Sequence, residues 1–165
     1  MPARVRTYAP RGQTPVLQCW QSYDHYDHVA VMSGITMTAQ LYTRVRDRVL
    51  TSADSVAFLI HLHRELGCPL LVIWDGSSIH GGAVADFLRE GGAEYVQLAR
   101  LPPYAPDLNP DEGVWRHLKD VELPNLTCVS VAELRKALVL AIMRLRSKPH
   151  LLKSCFASAR LAIDT

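Results

Sequence analysis

The sequence has no apolar run approaching the ~20 residues that a membrane-spanning helix needs, and no N-terminal signal-peptide pattern. Those absences argue against a helical membrane protein and lead to the expectation of a cytoplasmic chain. Its four cysteines, Cys19, Cys68, Cys128 and Cys155, include no C-x-x-C pair or other zinc spacing. A zinc module and a disulfide framework are therefore not expected, and reduced thiols are. Repeats and disordered tracts are missing as well. What remains is ordinary globular composition: 165 residues, 48% of them hydrophobic and 21% charged, enough for a single domain with its own core.

Charge of one sign is also scarce in the net balance. A formal charge of +2 is too small to argue for nucleic-acid binding, but it hides an asymmetry at the two ends. Arg4, Arg6 and Arg11 precede the first acidic residue, Asp24. Arg135, Lys136, Arg144, Arg146, Lys148, Lys153 and Arg160 crowd the C-terminal part. Solvated helix faces are the ordinary reading of such charges; contact with phosphates is the functional one.

Residues 1–15 are basic and broken by Pro10, Gly12 and Pro15, and are expected to form a loop. His28 to Ile35 and Gln40 to Val45 read as two strands joined in a hairpin. Ser52 is expected to cap a helix that runs to about Leu66, with Val56, Leu59, Ile60 and His63 at helical spacing and Gly67 as its stop. Leu70 to Trp74 then forms a buried strand. A helix from Ala83 to Arg89 and a short strand from Tyr95 to Leu98 follow, separated by Gly91-Gly92. After a turn from Pro102 to Pro110, a helix begins near Asp111, carries Val114, Trp115 and Leu118 on one face, and closes at Pro124. Val131 to Arg146 and Leu151 to about Ile163 complete the helices. This order of elements is α/β.

Two carboxylates stand out against that plan. Leu70-Leu71-Val72-Ile73-Trp74-Asp75-Gly76 delivers Asp75 at the C-terminal end of a strand, where open α/β sheets build their sites. Glu112 opens the helix after the next helix–strand unit, within Tyr104-Ala105-Pro106-Asp107-Leu108-Asn109-Pro110-Asp111-Glu112. Cleavage of a phosphodiester by two divalent ions needs carboxylates that converge from different elements, and their oxygens are the donors that Mg²⁺ prefers. Taken singly, Asp75 also suits an Asp-Gly turn and Glu112 a helix N-terminus. His25 and His28, with Asp24 and Asp27, share no recognised ligand spacing. Trp115 reads as core beside Leu118, and Asn109 as turn chemistry or a phosphate contact.

Three blocks carry a resemblance over nearly the whole chain. They are Arg11-Gly12-Gln13-Thr14-Pro15, Trp74-Asp75-Gly76-Ser77-Ser78-Ile79-His80, and Pro103-Tyr104-Ala105-Pro106-Asp107-Leu108-Asn109-Pro110-Asp111-Glu112-Gly113-Val114-Trp115. In them the chain resembles the catalytic domain of DDE transposases of the bacterial insertion-sequence six-thirty family, within the mariner superfamily. The resemblance implies a ribonuclease-H-like mixed sheet flanked by helices and two Mg²⁺ or Mn²⁺ ions. It also implies hydrolytic cutting at transposon ends, followed by attack of the freed 3′ hydroxyl on target DNA. Asp75 matches the family's second acidic residue and Glu112 its third, so both are catalytic and metal-ligand candidates. His80 matches a histidine often placed shortly after the second Asp, and with Asn109 is a candidate accessory residue. Arg4, Arg6, Arg11 and Lys119 are the DNA-contact candidates.

The chain also departs from the family pattern. The family's first catalytic Asp lies on a strand upstream of the segment that resembles Arg4 to Pro15, and no acidic residue here precedes Asp24. The expectation is thus one partial catalytic domain, residues 1–165, without the family's first, central strand, its first Asp or its N-terminal helix-turn-helix region. Asp24 and Asp27 are the local substitutes. The partners implied are double-stranded DNA, as transposon ends and target, and a second copy of the chain, in a nucleoid-associated cytoplasmic setting. The alternative reading is a non-catalytic DNA-binding or oligomerisation remnant that modulates a full-length transposase.

Overall fold

Residues 9–13, 28–77, 79 and 81–161 are described by a computed structural model of the chain. Strands β1 (Ala30–Ile35) and β2 (Leu41–Arg46) form the expected hairpin, antiparallel from Ala30 opposite Arg46 to Ile35 opposite Leu41. Alternation along β1 sends Val31 and Ile35 into one core and Met32 into another. On Met32's side, Gly34 lies so close to Phe58 that an added Cβ would sit 3.7 Å from its ring.

Helix α1 (Ser52–Leu66) is capped by Thr51 rather than by Ser52. The reason is Asp54 at the third helical position, which accepts from both the Thr51 backbone N–H and its hydroxyl at 3.0 Å. Gly67, with φ of 65°, ends the helix as expected and donates its N–H to the His63 carbonyl at 2.9 Å. Asp54 also draws in the arginines around β2. Arg48 meets both carboxylate oxygens at 2.7 and 2.9 Å, and Arg46 and Arg44 approach at 3.5 and 3.8 Å. The Arg48 hydrogen bonds hold the buried Asp54 carboxyl well below its ordinary range against the opposing cost of burial.

Strands β3 (Leu70–Trp74) and β4 (Val96–Arg100) pair in parallel, from Leu70 beside Val96 to Trp74 beside Arg100, with α2 (Ala83–Arg89) crossing between them. Pairing with the whole of β3 carries β4 two residues beyond the expected Leu98. Leu70, Val96 and Val84 share a core with Phe58, Leu59 and Leu62 of α1. The opposite face of β3 is different from the buried strand expected: Leu71 is 65% and Ile73 58% exposed. The C-terminal helices pack on the β1–β2 hairpin instead of on β3. Among the described residues the strands form two two-stranded sheets, β1–β2 and β3–β4, flanked by helices in a mixed α/β arrangement.

Helix α3 (Pro110–His117) runs on through a π-helical turn (Leu118–Glu122), so the segment before Pro124 is longer than one regular helix. Helix α4 (Val131–Arg146) is capped by Ser130, which accepts from Glu133 N–H at 3.2 Å. Helix α5 (Pro149–Ser158) starts before the expected Leu151, because Pro149 suits a first helical turn, and ends before Ile163, with Arg160 at φ 60°. These helices build a core of Val114, Leu118, Leu138, Ala141, Ile142, Leu145 and Leu152 against the Val31 face of the hairpin. Helices thus lie on both faces of the hairpin. Among the described residues, no helix is long and apolar enough to cross a membrane.

Glu122 fastens the end of the π turn to the end of α4. Its carboxylate meets Arg144 at 2.6 Å and Lys148 at 2.7 Å, with His117 Nε2 at 3.5 Å. Burial raises its pKa, but Lys148 and Arg144 overcome that and hold it at about 2. A carboxyl depressed on folding contributes stability that is complete above its unfolded pKa near ~4.3 and lost as the pH falls towards the folded value. Because both cations are substantially exposed, the contribution is on the order of 1 to 2 kcal/mol. Urea midpoints measured from pH 7 to pH 2 should therefore fall more steeply below about pH 4.3 for the wild type than for Glu122→Gln; parallel curves would show that the ion pairs contribute nothing.

Candidate active site

Asp75 follows directly on β3, at the carboxyl end of the parallel pair. The Leu101 N–H bonds to the Trp74 carbonyl at 2.9 Å and prolongs the ladder to the strand's last residue. Asp75 is exposed, and its Oδ1 accepts from the Ser77 N–H at 2.9 Å, so the turn expected of Asp-Gly does form.

Glu112 is carried on a stiff mount. Pro106–Leu108 makes one 3-10 turn, and Asn109 then caps α3, its side-chain oxygen accepting from Asp111 N–H at 3.1 Å. Pro110 at the first helical position presets the backbone and Glu112 follows in the first turn, where the helix dipole favours negative charge. Asn109 is thus the helix cap, the turn role expected of it.

Asp111, between cap and Glu112, was not expected to matter beyond the helix N-terminus. Its Oδ2 accepts from the Ser33 hydroxyl of β1 at 2.6 Å and from the Trp115 indole Nε1 at 3.0 Å, while its Oδ1 is buried with no hydrogen-bond partner among the described residues. Burial raises its pKa most; Ser33 and Trp115 oppose the rise, and the charges of Glu112 and Asp75 add to it. Both candidate carboxylates therefore lie within electrostatic reach of Asp111. The Asp111–Trp115 spacing of four residues on one helix was a visible signal; the Ser33 bond, between residues far apart in the chain, was not.

The remaining candidates fall differently. Arg11 is exposed in a turn and Lys119 is exposed on the π turn. Arg4, Arg6, Asp24, Asp27 and His80 lie outside the described residues. Among the described residues no group of three His, Cys, Asp or Glu side chains is arranged to hold a metal ion.

Asp75 thus stands at the carboxyl edge of the β3–β4 pair, where open α/β folds build their sites. The chain belongs to the DDE superfamily endonuclease family, whose profile matches residues 1–135. Three solved structures share its fold. The Mos1 strand transfer complex has a TM-score of 0.59 at 19% identity, over 99% of this chain and 52% of that one. The Mos1 transposase paired-end complex with left transposon end gives 0.57 at 18% over 99% and 52%, and the Mos1 mariner paired-end complex with Mn gives 0.58 at 17% over 99% and 53%. The chain spans about half the length of these proteins. No curated protein matches it.

One consequence of the mount is steric. A Cβ on Gly113 would lie 2.8 Å from Cys155 Sγ and 3.1 Å from its Cβ, so α3 and α5 touch where a side chain has no room. Gly113→Ala should lower stability by about 1 to 3 kcal/mol despite the better helix propensity of alanine. In a denaturation cycle, Cys155→Ala should recover part of the loss; strict additivity of the two changes would contradict the contact.

Proposed function

We propose that this chain is a catalytic domain of a DNA transposase of the insertion-sequence six-thirty type, which cuts and joins phosphodiesters at transposon ends. The family match carries this reading, and it is supported by the position of Asp75 directly after β3 and of Glu112 in the first turn of α3, the two elements on which a pair of catalytic carboxylates would be mounted.

The donor chemistry fits Mg²⁺ or Mn²⁺. Asp75 and Glu112 are exposed oxygen donors of the hard type these ions favour, and the oxygens of a DNA phosphate are of the same kind. Bound there, the ions would lower the pKa of the attacking hydroxyl or water and stabilise the leaving oxygen. The protein's own part is to hold the two carboxylates at fixed ends of a strand and a helix and to keep the first turn of α3 rigid. Exposed Arg11 and Lys119 are suited to phosphate contacts, and Arg4 and Arg6 are proposed for the same task. A second copy of the chain and a nucleoid-associated cytoplasmic setting belong to the same reading, as does a role for His80 beside Asp75.

A second reading, a non-catalytic DNA-binding or oligomerisation unit, is favoured by one observation, the lack of a three-donor metal group among the described residues. Nicking of supercoiled DNA with Mn²⁺ separates the two. The transposase reading expects nicking that falls by at least about a hundredfold in Asp75→Ala and in Glu112→Ala, the size of loss seen when a group stabilising transition-state charge is removed. Nicking that survives both substitutions would place the chemistry elsewhere. Binding without nicking would favour the second reading.

Both readings expect phosphate contacts. The logarithm of the affinity for duplex DNA should fall linearly with the logarithm of salt concentration, by roughly 0.9 per phosphate neutralised, and Arg11→Ala or Lys119→Ala should each flatten the slope by about one contact. Affinity measured by fluorescence anisotropy that ignores salt would rule out an interface of this kind.

A further inference from the structure

The buried carboxylate of Asp111 has no obvious stabilising purpose. An apolar side chain at that position would pack beside Val31 and Ile35, which share a face of β1 with Ser33, and would avoid the cost of taking a carboxylate out of water. The acid is instead placed where Glu112 and Asp75 add further negative charge. A carboxylate does, however, supply directional bonds. Its Oδ2 gathers the Ser33 hydroxyl at 2.6 Å from the middle of β1 and the Trp115 indole at 3.0 Å from one turn along its own helix. The first bond sets how far the start of α3 stands from the strand. The second fixes the side-chain rotamer, so that the helix cannot turn about its axis without breaking one of them.

Glu112 is the next residue. Any roll of the first turn of α3 swings its carboxylate relative to Asp75, whose position is set by a different element, the end of β3. The tight approach of Gly113 to Cys155 limits displacement towards α5 but leaves rotation about the helix axis to be resisted by Asp111.

We propose that Asp111 is a positioning residue: by accepting from Ser33 and Trp115 it locks the rotation of α3 and so sets the orientation in which Glu112 faces Asp75. This inference rests on the assignment of Asp75 and Glu112 as metal ligands, and it adds the residue that holds one of them in place.

Mn²⁺ affinity of the full chain, read by electron paramagnetic resonance, tests the proposal together with the Trp115 indole N–H resonance in NMR spectra. Asp111→Ala should weaken Mn²⁺ binding by about 10- to 100-fold, the range for loss of a group that orients a metal ligand, and should move the indole resonance. Asp111→Asn keeps an oxygen that can accept both bonds and should stay within about threefold of wild type. Ser33→Ala removes one bond and should fall between them, and it carries the test should Asp111→Ala fail to fold. Unchanged affinity in folded Asp111→Ala or in Ser33→Ala would overturn the proposal. So would an Asp111→Asn as weak as Asp111→Ala, since the charge and not the hydrogen bonds would then be what matters. If Asp75→Ala and Glu112→Ala themselves bind Mn²⁺ like the wild type, the ligand assignment fails first, a result distinct from a failure confined to Asp111 and Ser33.

Discussion

The seating of α3 on the β1–β2 hairpin is the constraint on which the rest of this structure depends. Three different interactions meet in little more than one helical turn: the hydroxyl and indole bonds to Asp111, the sterically closed approach of Gly113 to Cys155, and the fully buried Val114. They come from different physics and act along different directions. The hydrogen bonds set rotation, the glycine contact sets spacing to α5, and the valine anchors the helix in the C-terminal core. Because the chain runs from Asp111 to Glu112 to Gly113 to Val114 without a break, every one of these restraints acts on the backbone that carries Glu112. The π turn that follows delivers Glu122 to Arg144 and Lys148, which ties the far end of the same segment to α4.

Much of this was legible in the order of residues, and for definite reasons. The hairpin, α1, β3 and α2 stand close to where period and punctuation put them, because Gly67, Pro69 and Gly91-Gly92 leave little freedom about where an element stops. Boundaries drifted where the deciding partner was distant or local chemistry competed. β4 reaches Arg100 because β3 pairs it that far, and Thr51 displaces Ser52 as a cap because Asp54 lies three residues after Thr51. Of the site, Asp75 at a strand end and Glu112 in a helix's first turn could be placed from pattern alone. Ser33 could not, since nothing local marks one serine in a strand as the partner of a helix far along the chain. The exposure of Leu71 and Ile73 was equally hidden: an apolar run reports that a strand can be covered on both faces, not which helices come to cover it.

Asp54, Glu122 and Asp111 are carboxylates withdrawn from water to different degrees and in different company. Asp54 sits among three arginines and Glu122 between an arginine and a lysine, and each is held ionised below its ordinary range. That is how a fold normally compensates for burying negative charge. Asp111 is treated in the opposite way. Its hydrogen-bond partners among the described residues are a hydroxyl and an indole, its other oxygen is buried with none, and burial above all, with two neighbouring acids adding to it, presses its pKa upward. Among the described residues Asp111 thus takes neutral donors from a strand and from its own helix where Asp54 and Glu122 take cations, so what it supplies is directed hydrogen bonding rather than compensated charge. The bonds to Ser33 and Trp115 are therefore what fix the first turn of α3, and with it the stretch of backbone that carries Glu112.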